Sequence, residues 1–185
     1  MILDDNTSFA CHGSVTFAVC SRAIDLKNSN KVVPGDSDKL LLYFQGGGAC
    51  WDAASTDLQF CTSTCSPNSL SGVFDRSNAA NPFKDHTIVH VLYCSGDLHA
   101  GNVTRPYSDG KGEPVEQRGF YNTRASVDWA KANLDAHLSS LVMSGCSAGS
   151  LGVQAWAAEL LEELSYDNAA VVRASAAWTH LSHHR

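Results

Sequence analysis

The 185-residue chain is 44% hydrophobic and 17% charged, with a formal net charge of −6 at neutral pH. That length supports one domain with a substantial core, and the acidic balance, with no basic cluster, argues against nucleic acid or an anionic membrane as a partner. No run of about eighteen apolar residues is present to span a bilayer, and the acidic start Met1-Ile2-Leu3-Asp4-Asp5 lacks the apolar segment of a signal peptide.

Between Cys11 and Cys20, Ser14-Val15-Thr16-Phe17-Ala18-Val19 alternates as a strand does. Residues 28–38 are polar and contain Pro34-Gly35, which reads as a surface turn. Lys39-Leu40-Leu41-Leu42-Tyr43-Phe44-Gln45 is the continuous apolar run expected of a strand buried on both faces, and it ends on Gly46-Gly47-Gly48. Residues 49–81 hold few periodic signals and read as a short helix after Trp51 followed by an irregular, cross-linked excursion. Thr87-Ile88-Val89-His90-Val91-Leu92-Tyr93 is a second buried strand. It opens into a Gly/Asp/Asn-rich loop over residues 94–119, long for a plain connector and hence a candidate site loop.

Residues 121–137 carry Ala125, Val127, Trp129, Ala132 and Leu134 among polar side chains and read as a helix. A short apolar strand, Leu141 to Ser144, then runs into Gly145-Cys146-Ser147-Ala148-Gly149 and a helix from Ala148 to about Leu164. In that helix Leu151, Gly152, Ala155 and Trp156 are expected inward and Glu159, Glu162 and Glu163 outward. Ala169-Ala170-Val171-Val172 reads as one more strand. No repeat or linker divides the chain.

Seven cysteines, Cys11, Cys20, Cys50, Cys61, Cys65, Cys94 and Cys146, point to an oxidising compartment. The number is odd, so at least one is free or pairs outside the chain. Cys61-x-x-x-Cys65 has no second pair at zinc spacing, and no metal is expected. Asn6-Thr7-Ser8 and Asn102-Val103-Thr104 are glycosylation sequons if the chain is secreted.

Strands alternating with helices predict an α/β domain with a mostly parallel sheet. Such sheets place chemistry at the carboxyl ends of their strands. Gly46–Gly48, the loop opening at Cys94, and Ser147 all follow strand ends and so converge on one rim. The Gly-x-Ser-x-Gly sequence between strand and helix is a nucleophile elbow: the pinched turn lifts the Ser147 hydroxyl above a helix N-terminus. The N–H groups of Gly47, Gly48 and Ala148 are candidate oxyanion donors. No Gly-Lys-Ser/Thr follows the triplet, which argues against a phosphate loop and leaves a flexible turn as the alternative. His99, with Asp97, lies in the site loop as a candidate substrate contact. His86 and His90 read as packing or surface residues. Asp167 is expected at the end of the elbow helix, on the wrong side of the sheet for a catalytic acid, and His180, His183 and His184 fall in an unpatterned tail.

Four segments together resemble the pectin acetylesterase family, whose animal relative is the Notum carboxylesterase. They are Cys11-His12-Gly13-Ser14; Leu41 through Gly48 with Ala49-Cys50-Trp51-Asp52; Tyr93-Cys94-Ser95-Gly96-Asp97; and Gly145 through Ser150. The variant with Ala49-Cys50-Trp51-Asp52 is more similar to microbial and algal-type members than to plant ones.

The resemblance implies an α/β-hydrolase fold, a Ser–Asp–His triad, disulfides, secretion and no cofactor. It also implies removal of O-acetyl or O-acyl groups from a glycan such as pectin, or from a glycoconjugate, through an acyl-enzyme. It makes Ser147 the nucleophile and Gly47, Gly48 and Ala148 the oxyanion hole. It does not place the Asp and His, which the family carries beyond Val172. Residues 1–172 are therefore expected to be the N-terminal part of a single α/β-hydrolase domain whose last strands are missing. Residues 173–185 read as an unpatterned tail, an artefact of the gene model in one reading. The alternative function is a non-catalytic fragment or pseudoenzyme that at most binds a glycan.

Overall fold

A computed structural model describes residues 32–61, 72–109 and 112–174. Its centre is a five-stranded sheet in the order β1-β3-β2-β6-β7. The strands are β1 (Val32–Val33), β2 (Asp36–Phe44), β3 (His86–Val91), β6 (His137–Cys146) and β7 (Ser165–Ala174). All pairings are parallel except β1 with β3. A separate antiparallel hairpin joins β4 (Val103–Ser108) to β5 (Pro114–Gln117). Among the described residues three α-helices lie between the strands: α1 (Ala53–Asp57), α2 (Gly119–Asn133) and α3 (Ala148–Glu163). A 3-10 turn covers Gly72–Phe74.

The apolar run in β2 makes it the spine. Successive side chains point to opposite faces, and each face finds its own cluster. Leu40, Leu42 and Phe44 pack with Val89, Val91, Leu141 and Met143 beneath Val127 of α2 and Val153, Trp156 and Leu160 of α3. Leu41 faces the other way, onto Ile88, Val142, Val73, Phe74 and Phe83. Leu41 and Leu42 are 0% exposed, and burying each such side chain is worth about 1.5–3 kcal/mol.

Helices α2 and α3 share one sheet face and are tied by charge as well as packing. Arg124 of α2 meets Glu163 of α3 at 2.6 Å, and Lys131 reaches the same carboxylate at 2.7 Å. Glu163 was expected to face water; its side chain is only 22% exposed. The buried stripe of α3 is Gly149, Gly152, Val153, Trp156 and Leu160, while Leu151 is 48% exposed.

Several boundaries differ from the sequence expectation. α2 stops at Asn133 because Leu134 is already extended, and His137 opens β6 instead of closing the helix. The 94–119 loop contains the β4–β5 hairpin. Polar side chains and Pro106 hide β4 from a pattern search, and a short two-stranded edge tolerates the proline. Asp167 lies in β7 rather than at a helix end. That strand begins at Ser165 and continues through Ala174, pairing Arg173 with Gly145 and Ala174 with Cys146. Its polar first half, exposed to solvent, masked its length. The strand expected at 14–19, His180, His183 and His184, and most of the 173–185 segment lie outside the described residues.

Candidate active site

The register of the parallel strands builds the site. Phe44 of β2 pairs with Gly145 of β6, so residues two or three beyond each come side by side at the rim. One is Ser147, exposed between buried Cys146 and Ala148. Its backbone is at φ 56°, ψ −122°, a region that L-residues adopt only when surrounding structure enforces it. The enforcement is visible in the two flanking glycines. A Cβ on Gly149 would collide with the Phe44 carbonyl, and one on Gly145 with the Gly149 carbonyl. Ser147 is the N-cap of α3, but its side chain makes no capping hydrogen bond. The hydroxyl is therefore not consumed by the helix it begins.

The glycine triplet lies against this turn. An added Cβ on Gly46 would sit 3.4 Å from Ser147 Cβ. Gly48 is at φ +74°, where its missing side chain leaves space for the Phe60 carbonyl. The segment after the triplet is braced on several sides. Ala49 N–H donates to the Phe60 carbonyl at 3.2 Å and Cys50 N–H to the Gly96 carbonyl at 2.8 Å. Gln117 Nε2 donates to the Cys50 carbonyl at 2.6 Å, and Cys50 is disulfide-bonded to Cys61. Among the described residues, the N–H groups of Gly47, Gly48 and Ala148 have no hydrogen-bond partner. Ala148 directly follows the exposed Ser147, and the triplet approaches it through Gly46.

Asp97 and His99, the candidate substrate contacts, are both engaged by the protein itself. The Asp97 carboxylate accepts from Ser95 Oγ at 2.6 Å, His99 N–H at 3.2 Å and the first N–H of α2, Gly119, at 2.7 Å. It caps a helix N-terminus, where negative charge is stabilising. Gly101 and Gly119 leave room for it. His99 is 0% exposed, stacked on Tyr93 and edge-on to Phe44. Burial drives its pKa down to about 4, so the ring is neutral at physiological pH.

The remaining described histidines lie elsewhere. His90 is buried between Tyr43 and Phe74, and desolvation lowers its pKa to about 3. His86 Nε2 meets Ser140 Oγ at 3.0 Å. His137 Nε2 and Asp167 lie 2.9 Å apart, a histidine–carboxylate couple in kind. It sits at the amino ends of β6 and β7, and Ser147 follows the far end of β6, about 30 Å away at about 3.3 Å per residue. No described histidine or carboxylate is hydrogen-bonded to the Ser147 hydroxyl. Two contributors that sequence reasoning missed are Tyr93 and Gln117, which brace the glycine loop. Nothing local marks them, because their partners are 45 and 67 residues away in the chain.

All four described cysteines are disulfide-bonded: Cys50 with Cys61, and Cys94 and Cys146 as well. No helix among the described residues is long and apolar enough to cross a membrane.

A mostly parallel sheet flanked by helices, with a strained serine between strand and helix beside a glycine loop from the neighbouring strand, defines an α/β-hydrolase-type fold. The pectinacetylesterase family profile matches residues 31–183, and the chain belongs to that family. It is similar to pectin acetylesterase 7 of Arabidopsis thaliana, at 30% identity over 118 residues, which are 60% of this chain and 29% of the relative. Its fold is similar to the solved structure of the Wnt deacylase Notum from Drosophila. That match has a TM-score of 0.53 at 19% identity and covers 75% of this chain and 44% of the Notum chain. The chain spans less than half the length of either protein.

Proposed function

We propose that this chain carries the nucleophile and oxyanion hole of an extracellular serine carboxylesterase that removes O-acetyl or O-acyl groups from a glycan such as pectin, or from a glycoconjugate. The observation that carries the reading is Ser147 at φ 56°, exposed at the N-terminus of α3 with its hydroxyl uncommitted. The neighbouring N–H groups of Gly47, Gly48 and Ala148 support it. In the reaction Ser147 Oγ adds to the ester carbonyl carbon and the carbonyl electrons move onto oxygen. The three N–H groups then stabilise that charge, each being worth about 3 kcal/mol in such sites. Collapse of the intermediate expels the sugar hydroxyl and leaves an acyl-enzyme, which water then hydrolyses to free acid and serine. The base that takes the serine proton is assigned to none of the described residues. Family membership and the Arabidopsis relative support the acyl-glycan substrate, and the disulfides fit an extracellular site.

The test is a fluorophosphonate probe with tandem mass spectrometry, alongside p-nitrophenyl acetate turnover. Label confined to Ser147, with label and turnover both lost in Ser147→Ala, is the expected result. Label on another residue, or full turnover in the variant, would remove Ser147 from the mechanism.

A further inference from the structure

The glycine triplet has no side chains, so nothing within it fixes where its N–H groups aim. Its two ends are held instead from the segment that follows β3. His99 Nε2 donates to the Gln45 carbonyl at 2.9 Å, and the Tyr93 hydroxyl donates to the Gly48 carbonyl at 2.9 Å. The two rings stack with centroids 4.6 Å apart. Leu98 N–H donates to the Tyr93 hydroxyl at 3.0 Å, and Tyr93 N–H donates to Gln45 Oε1 at 3.0 Å. A peptide unit is planar and trans, so pinning its carbonyl also sets the N–H on its other side. The Gln45–Gly46 and Gly48–Ala49 peptides are both set in this way. The two peptides between them carry the unpartnered N–H groups of Gly47 and Gly48.

We propose that Tyr93 and His99 form a clamp that fixes both ends of the glycine triplet and thereby aims the Gly47 and Gly48 N–H groups at the oxyanion formed on Ser147. His99 is referenced to the elbow helix too. Its carbonyl accepts from Trp156 Nε1 of α3 at 2.8 Å and from Thr123 Oγ1 of α2 at 3.3 Å. Gly152 of α3 is open where a Cβ would stand 2.6 Å from His99 Cδ2. The loop giving two donors and the helix giving the third are therefore held to one residue. Tyr93 and His99 are each 0% exposed, which makes them positioning residues rather than contacts for the ester.

The kinetic part of this inference rests on the esterase reading, while the tautomer part does not. A carbonyl partner on Nε2 requires the proton there, leaving Nδ1 bare, and Nδ1 indeed has no partner. Histidine-15N NMR of the full chain should show one ring in the neutral Nε2–H form from pH 5 to 8, assigned by its loss in His99→Gln. An Nδ1–H tautomer for that ring, or its titration near the ordinary histidine value, overturns the clamp.

On p-nitrophenyl acetate, Tyr93→Phe deletes only the hydroxyl and should lower kcat about tenfold with KM nearly unchanged. His99→Leu should do the same, and His99→Gln, which restores a donor for the Gln45 carbonyl, should recover most of the turnover. Wild-type kcat in Tyr93→Phe, or a change confined to KM, also overturns it. That variant decides the question if His99→Leu fails to fold. Label or turnover at a residue other than Ser147 would sink the esterase reading, and the NMR would still decide whether His99 holds the Gln45 carbonyl; it alone decides if the wild-type chain is inactive.

Discussion

Gly48 shows how much of this site is written in single atoms. Its φ of +74° and the Phe60 carbonyl behind it leave no room for a methyl group. Gly48→Ala should therefore shift the loop, cost about 1–3 kcal/mol of stability and lower kcat by tenfold or more. On the proposed mechanism KM should stay nearly constant, because donors to the oxyanion act on the transition state rather than on bound substrate. Steady-state kinetics with p-nitrophenyl acetate separate the two parameters; a change in KM alone would make the triplet a substrate-binding loop. Gly46, Gly145 and Gly149 share this intolerance, since each faces a backbone carbonyl of its neighbour.

At the scale of elements, the packing of α2 on α3 gives Glu163 an unusual load. Its carboxylate takes hydrogen bonds from Arg124 and Lys131, which pull its pKa down to about 2, and Arg124 is raised in return. A depressed carboxylate pKa contributes stability that is complete above about 4.5 and lost as pH falls through about 2. Glu163→Gln should therefore cost about 1 kcal/mol at pH 7, a partly buried pair being worth more than an exposed one. The difference from wild type should shrink below pH 3. Urea unfolding of both proteins at the two pH values reads it directly.

The same helices show where the sequence was legible. The elbow and the triplet were readable because each depends on residues a few positions apart in the chain. The inner face of α3 was half readable: Gly152 and Trp156 point inward as their spacing implies, but Leu151 and Ala155 do not. The cores supplied by α2 and the sheet select Val153 and Leu160 instead. The structural partners of Asp97 and His99 were not legible, because a polar residue in a loop carries no mark of whether a helix end or a strand end will close over it.

At the scale of the whole fold, three buried histidines among the described residues have their pKa values pushed down. Desolvation lowers His86, His90 to about 3 and His99 to about 4, against an ordinary value of 6.5 in the unfolded chain. Below pH 6.5 the unfolded chain binds protons that the folded one refuses, so stability must fall with pH from there downward. The midpoint of urea unfolding should drop steadily between pH 7 and 4, and His90→Gln should flatten that slope. A profile flat over this range would mean that the three rings gain protons without unfolding. These rings also show why the fold class was easier to read than its interior. The apolar runs of β2 and β3 announce a parallel sheet, whereas a histidine at 3% exposure, as at position 90, looks in sequence like any polar residue.

The backbone angle at Ser147 sets the role proposed for its hydroxyl against the stability of its own fold. At φ 56°, ψ −122° a glycine would rest at little cost, while serine and alanine are both strained. Ser147→Gly should consequently melt higher than Ser147→Ala, by a few degrees for about 1–2 kcal/mol of strain released. Selection for durability alone would erase the hydroxyl. On the proposed mechanism, its presence in so tight a turn is a trade in which thermal endurance is yielded for reactivity.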